Sequence, residues 1–115
     1  MEGQGESMMK QETFAKFKTA GFHVPTELAD HIPGYMSRRE EDMNAMWTHF
    51  HKGEFDAIGR IAHKIKGNGA SYGFESLTHL AERLQNSVNS KDKGAIETDV
   101  QALDQEVKKI RSLMA

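Results

Sequence analysis

The C-terminal part of the sequence carries the pattern that most restricts the fold. Its apolar side chains are separated by steps of four, three, four, three and four residues, and they are Ile96, Val100, Leu103, Val107, Ile110 and Met114. An α-helix turns about 100° per residue, so these side chains lie within about 40° of one line along its surface. A stripe of this kind is typical of a helix packed in a bundle.

Three earlier segments show the same kind of pattern. Their apolar stripes are Ile32, Met36, Met43, Met46, Trp47 and Phe50; Ile58, Ile61, Ile65 and Tyr72; and Leu77, Leu80, Ala81, Leu84 and Val88. Short polar stretches separate the segments, among them 51–54 and 89–92. Four amphipathic helices joined by short polar turns predict an all-α fold, an antiparallel up-down four-helix bundle.

The predicted bundle occupies residues 26–115, and residues 1–25 form an N-terminal extension. Phe14 and Phe17 predict a short helix pinned against one end of the bundle. The run Val24-Pro25-Thr26-Glu27 indicates a further helix start. We expect the extension to be partly flexible and residues 1 to about 8 to be frayed.

One charged residue, Arg39, falls within the apolar stripe of the first predicted bundle helix. Arginine can bury its methylene stem while its guanidinium reaches water. We therefore interpret Arg39 as a snorkelling arginine near the edge of the stripe.

Composition excludes several classes of protein. The chain has no cysteine, which rules out disulfides, thiolate metal sites and cysteine nucleophiles. Its formal net charge of -2 argues against a nucleic-acid-binding protein. No apolar run approaches membrane-spanning length and no secretion signal is evident. We expect a cytoplasmic monomer without membrane contact, whose partners are proteins or small ions.

Five of the six histidines show no metal-binding pattern, and they are His23, His31, His49, His51 and His79. None belongs to a His-x-x-x-His or Glu-x-x-His pair on an inward helix face, where a metal site in a bundle needs its ligands. We interpret them as surface residues and expect no bound metal.

The sixth histidine, His63, is predicted to point away from the core. On a helical wheel Ile61 and Ile65 lie near 160° on either side of it. Gly59 and Gly67 lie about 40° from it, although glycine destabilises a helix interior by about 1 kcal/mol relative to alanine. The two glycines therefore predict open space beside the imidazole, large enough for a bulky partner.

Two cations, Lys66 and Arg60, lie about 60° from His63 on its two sides. A neutral imidazole has one unprotonated nitrogen, which can act as a nucleophile without a separate base. We predict that this nitrogen attacks a phosphoryl group. Lys66 would then offset the negative charge that gathers on the phosphoryl oxygens.

The run His63-Lys64-Ile65-Lys66-Gly67, with Gly73 and the leucine-spaced helix after it, resembles the histidine-containing phosphotransfer (HPt) domain. The family pattern is roughly His-x-Leu-Lys-Gly, and only Ile65 departs from it. The stretch KGNGASYGF further resembles compact free-standing bacterial HPt proteins. The resemblance covers about residues 26 to 112 and implies a four-helix bundle that shuttles phosphate between receiver-domain aspartates.

The resemblance also points to residues around the histidine. In several family members a glutamine twenty-two residues after the histidine lies beside it, and Gln85 has this spacing. We expect Gln85 to orient His63 or its phosphate by hydrogen bonding. Asn68 occupies a position where the family often has a small polar residue, and an inter-helix hydrogen bond that stabilises the bundle explains it equally well. Lys64 and Arg83 belong either to a partner-docking face or to the plain solvated surface.

The predicted function is that of a stoichiometric phosphohistidine carrier. It would accept a phosphoryl group from a receiver-domain aspartate on His63 and pass it to another receiver aspartate. No phosphate-cradling glycine loop follows a strand, so we expect neither ATP-dependent kinase activity nor a cofactor, with magnesium on the partner receiver domain. The expected partners are response-regulator receiver domains, with a hybrid sensor kinase as a further candidate.

Two other classes remain open from the sequence. A non-catalytic helical adaptor would dock on receiver or kinase domains and would not need the histidine. A metal or oxygen carrier would bind its metal in the core of the bundle.

Overall fold

The computed structural model describes residues 11–114, and over this range the chain is helical without a strand. The α-helices are α1 (Gln11–Thr19), α2 (Ile32–His51), α3 (Phe55–Asn68), α4 (Glu75–Asn89) and α5 (Lys93–Ser112). Two short 3-10 helices, Thr26–His31 and Ala70–Tyr72, precede α2 and α4. The predicted all-α class is confirmed. The predicted fraying of residues 1 to about 8 lies outside the described residues.

Local sequence explains where the helices begin and end. Pro33 lies in the first turn of α2, where its missing N–H leaves no hydrogen bond unmade. After α2 the chain turns at Gly53, whose φ of +72° is unfavourable for other residues. Asp92 caps α5, because its side chain accepts a hydrogen bond of 3.1 Å from the backbone N–H of Ala95.

The four long helices contact one another in a closed ring. Each of α2 to α5 contacts the next helix along the chain, and α5 also contacts α2. Connections of only three residues, 52–54 and 90–92, join α2 to α3 and α4 to α5. Such a connection spans at most about 10 Å, so it favours neighbouring helices that run in opposite directions. The antiparallel up-down order remains a prediction, which these short connections support.

The predicted apolar stripes supply most of the hydrophobic core. Fully or almost fully buried stripe residues include Ile32, Met36, Met46, Ile58, Ile65, Leu77, Leu84, Ile96, Leu103 and Ile110. The stripe of α3 differs from its prediction in two positions, because α3 ends at Asn68 and the partly buried Tyr72 lies beyond it in the second 3-10 helix. Ile61 is only partly buried, whereas the neighbouring Ala62 is fully buried. The core-facing line of α3 therefore runs through Ile58, Ala62 and Ile65.

An aromatic cluster joins the N-terminal segment to the bundle. The Phe74 ring, at the start of α4, lies 5.4 Å from the ring of Phe17 and 5.2 Å from that of Phe22, both edge to face. Phe17 is 1% exposed, which confirms its predicted anchoring role, while Phe14 is only half buried. The division between extension and bundle at residue 25 stays a prediction. Phe17 and Phe22, which precede this division, belong to the same core as the bundle.

Gly73, between the second 3-10 helix and α4, is required at its position for two reasons. Its φ of +96° is the left-handed conformation that side chains with a Cβ rarely adopt. A Cβ at this position would also lie 2.5 Å from the carbonyl oxygen of His23. The two segments are hydrogen-bonded here, because the backbone N–H of His23 donates to the carbonyl oxygen of Gly73 at 3.2 Å.

We expect Gly73→Ala to destabilise the fold more than Gly53→Ala does. Gly53 also has a positive φ, but a Cβ there would meet nothing within 4 Å. Backbone strain alone should therefore lower the free energy of unfolding by about 1 kcal/mol at position 53, and strain plus the clash by about 3 kcal/mol at position 73. Urea denaturation followed by circular dichroism measures both values. Equal losses would show that the close approach of His23 does not matter.

Candidate functional site

The rotation of α3 turns His63 towards solvent. Ile58, Ala62 and Ile65 are 0% exposed and lie on one side of the helix. His63 is exposed on the opposite side. Because successive helical residues are about 100° apart, a helix that buries positions 62 and 65 must direct position 63 outward. The predicted orientation of the imidazole is confirmed.

Gln85 of α4 lies beside the imidazole, as predicted. Its Nε2 is 3.3 Å from His63 Nδ1. When the amide N–H donates to Nδ1, the proton of a neutral ring is on Nε2. When the amide is turned by 180°, Oε1 faces Nδ1 and accepts a hydrogen bond from Nδ1–H, so that Nε2 is unprotonated. In both arrangements the contact occupies Nδ1, and Nε2, on the other side of the ring, takes no part in it.

A groove between α3 and α4 contains the imidazole. We call it the His63 groove; its volume is about 640 Å³ and it is lined by Asp56, Gly59, Arg60, His63, Lys64, Gln85, Val88 and Asn89. Lys66 is not among these lining residues. The groove thus brings together the predicted nucleophile His63, the predicted orienting residue Gln85, and the two cations Lys64 and Arg60.

The two glycines that flank His63 have different surroundings. A Cβ at Gly67 would meet nothing within 4 Å, as expected for a position left open to a partner. A Cβ at Gly59 would lie 3.2 Å from Val88 Cγ1. The prediction that Gly59 leaves space beside the imidazole is therefore wrong on the α4 side, where its missing side chain allows Val88 to pack closely.

Each of the predicted site lysines is paired with a carboxylate. Lys66 Nζ lies 3.8 Å from Glu82 Oε2, and the two side chains are 42% and 52% exposed. Lys64 Nζ lies 3.5 Å from Asp42 Oδ1. Exposed ion pairs contribute only about 0–1 kcal/mol to stability, so a phosphoryl group can draw Lys66 away from Glu82 at small cost.

Asn68 joins α3 to α2 rather than contacting the imidazole directly. Its Oδ1 accepts hydrogen bonds from the Tyr35 hydroxyl at 2.7 Å and from Arg39 Nη1 at 3.2 Å. Arg39 Nε also donates to Asp42 Oδ2 at 2.9 Å. Of the two interpretations of Asn68, the inter-helix hydrogen bond is the one observed. Because of burial, the pKa of Tyr35 is raised from its usual value, and the neutral hydroxyl remains a donor.

The interpretation of Arg39 as a snorkelling side chain is wrong. The side chain is only 5% exposed, and the guanidinium carbon lies 4.6 Å from the centre of the Tyr35 ring. The buried charge is compensated by Asp42, whose carboxylate lies 2.9 Å from Nη2. The sequence did not predict this network. The position of Arg39 inside an apolar stripe indicates burial of the side chain, but it does not identify Asn68 and Asp42 as its partners.

Arg83 is another site candidate with an unpredicted partner. Its Nη2 donates to Asp99 Oδ1 at 3.1 Å, and Ser87 donates to the other oxygen of the same carboxylate. Asp99 is 7% exposed, so these donors compensate a buried charge. The Arg83 side chain is still 61% exposed, so it is a solvated surface cation paired with Asp99, and it does not line the His63 groove.

The other histidines lie away from the His63 groove. His49 Nδ1 lies 2.8 Å from Glu54 Oε1, and this hydrogen bond lowers the pKa of the Glu54 carboxyl. Over residues 11–114, no group of three or more potential metal-ligating side chains is placed to hold an ion. None of the helices described is long and apolar enough to cross a membrane.

Comparison with known proteins identifies the family. A family model described as Hpt domain matches residues 35–113, which is well over half of the chain. The chain therefore belongs to the Hpt domain family, as its sequence predicted. No curated protein and no solved structure gives a significant match. Hpt domains act in histidine phosphotransfer in two-component phosphorelays, where they interact with receiver domains and kinases.

We expect Gly67→Ala to stabilise the fold and slow phosphotransfer, because alanine favours the helix and its methyl group fills space open to a partner. The free energy of unfolding should rise by about 0.5–1 kcal/mol, and transfer from a phosphorylated receiver should slow about tenfold. Chemical denaturation and transfer of labelled phosphate measure the two effects.

Gly59→Ala is the matched control on the same helix. Crowding against Val88 should offset its gain in helix propensity, so its stability should rise less than that of Gly67→Ala. A Gly67→Ala variant that is more stable and transfers phosphate at the wild-type rate would contradict the proposed access of a partner at this position.

Proposed function

We propose that His63 is the residue that carries the phosphoryl group, accepting it from an aspartate of one receiver domain and passing it to an aspartate of another. The observation that supports this proposal most strongly is the pairing of His63 with Gln85. The imidazole is exposed, its Nδ1 is occupied by the amide at 3.3 Å, and Nε2 faces the solvent side where a partner can approach.

The proposed reaction begins when the Gln85 amide presents Oε1 to Nδ1–H of a neutral ring. The unshared electron pair of Nε2 attacks the phosphorus of the aspartyl phosphate, and the Nε2–P bond forms as the P–O bond to the aspartate breaks. The carboxylate leaves with the bonding electrons, and no proton has to move. Gln85 Oε1 stabilises the positive charge that develops on the ring through Nδ1–H.

Lys66 is proposed to stabilise the phosphoryl oxygens during the transfer. It follows His63 by three residues, so the two side chains are neighbours on the surface of α3. Its contact with Glu82 is long, at 3.8 Å, and largely exposed. Exchange of this carboxylate for a more highly charged phosphoryl group is therefore favourable on electrostatic grounds.

We further propose that the chain is a carrier without kinase activity of its own. The phosphoryl group would come from a partner, and the magnesium ion and its acidic ligands would belong to the receiver domain. Gly67 would leave the approach to the imidazole open, while Gly59 and Asn68 would fix the position of α3 against its neighbours. The monomeric state and the cytoplasmic location remain predictions.

We expect His63→Gln to abolish acceptance of phosphate, because the glutamine side chain has no nucleophilic nitrogen. Incubation with a labelled phospho-receiver should give the wild-type chain an acid-labile, base-stable label and the variant none. His79→Gln, a change of an exposed histidine on α4, should be labelled like the wild type. Lys66→Ala should reduce the transfer rate about tenfold or more.

The same experiment separates the proposal from a non-catalytic adaptor. Labelling of His63→Gln at the wild-type rate would rule out the assigned residue. Binding of receivers without any labelling of the wild-type chain would favour the adaptor instead.

In the wild-type chain we expect the phosphoryl group to be bound to Nε2 of His63. We expect Gln85→Leu to accept the phosphoryl group more slowly than the wild type. Loss of one hydrogen bond removes about 1 kcal/mol of stabilisation, which corresponds to about a fivefold slower transfer. Nuclear magnetic resonance of the 15N-labelled ring distinguishes the two phosphohistidine isomers. Exclusive phosphorylation of Nδ1 in the wild type would contradict the role given to Gln85.

A further inference from the structure

Arg60 is a second cation close to His63, and the proposed reaction does not yet use it. It is exposed on α3 and precedes His63 by three residues, so the two side chains are surface neighbours. Helical side chains lean towards the N-terminus, which places the imidazole over the turn that contains Gly59 and Arg60.

The His63 groove contains Arg60 but not Lys66. Gln85 approaches the ring from α4 and occupies Nδ1, so a phosphoryl group on Nε2 projects from the ring on the side away from that contact. The leaning of the imidazole along the helix brings this nitrogen towards the turn of Arg60.

The other two cations near His63 already have carboxylate partners. Lys66 pairs with Glu82 and Lys64 with Asp42. Arg60 takes part in none of the ion pairs formed among residues 11–114. A guanidinium also presents two parallel N–H donors, a geometry that matches two oxygens of a phosphoryl group better than an ammonium does.

We propose that Arg60 binds the phosphoryl group on His63 directly, donating hydrogen bonds to two of its oxygens. This inference rests on the proposed function, because it needs a phosphoryl group on Nε2. Arg60 remains protonated throughout, so it contributes charge and hydrogen bonds and exchanges no proton. Lys66 would contact the same group from the opposite side.

The test uses phosphoramidate, a small donor that requires no receiver domain. His63 Nε2 attacks its phosphorus, the P–N bond breaks and ammonia leaves. Arg60→Gln should be phosphorylated about tenfold more slowly than the wild type, and Arg60→Lys, which keeps the charge but loses the paired donors, should be intermediate. Arg38→Gln, which alters an exposed arginine on α2 outside the groove, is the matched control and should react at the wild-type rate.

A second measurement detects direct contact with the phosphoryl group. A nearby cation favours the phosphoryl dianion, so the 31P resonance of the phosphorylated wild type should reach its dianionic position at a lower pH than that of Arg60→Gln. Arg38→Gln should titrate like the wild type.

The outcomes separate this inference from the proposed function. If phosphate is found on the wild-type His63 but Arg60→Gln matches Arg38→Gln in rate and 31P titration, the role of Arg60 is overturned alone. If neither phosphoramidate nor a phospho-receiver places phosphate on His63, the proposed function fails as well. The inference would also be overturned if Lys66→Gln changed both the phosphorylation rate and the 31P titration while Arg60→Gln changed neither.

Discussion

The burial of Ile58, Ala62 and Ile65 fixes the rotation of α3, and the candidate site depends on that rotation. These residues are 0% exposed and hold one line of the helix against the core. A turn of α3 by one residue, about 100°, would bring charged side chains into the core, and burial of an unpaired charge is strongly unfavourable. Apolar packing on one side of the helix therefore sets the direction of the imidazole on the other.

Polar contacts add a second constraint near the end of α3. The shared acceptor Asn68 Oδ1 ties this end to Tyr35 and Arg39 of α2, and Asp42 links the buried guanidinium to Lys64 at the groove. These interactions are directional, whereas hydrophobic burial is not. They therefore limit how far α3 can slide or tilt relative to α2, and so limit the movement of the imidazole that α3 carries.

Features that follow from one helix alone could be predicted from the sequence. The outward direction of His63 depends only on helical geometry, and Gln85 was found because its spacing matches that of a known family. Two features that depend on the opposite helix were missed. Gly59 was given open space because the sequence does not show that Val88 lies 3.2 Å from its Cβ position. Arg39 was placed at the surface because its partly buried partner Asn68 lies 29 residues further along the chain.

The contact of Gly73 with His23 shows that the unit recognised by similarity is smaller than the unit that packs together. The family match begins at residue 35, yet Phe17 and Phe22 cover the ring of Phe74 from the N-terminal side. A gene fragment cut at that boundary would encode every residue of the candidate site and leave an apolar face uncovered, inviting self-association. The family match and the packed core thus begin at different points along this chain.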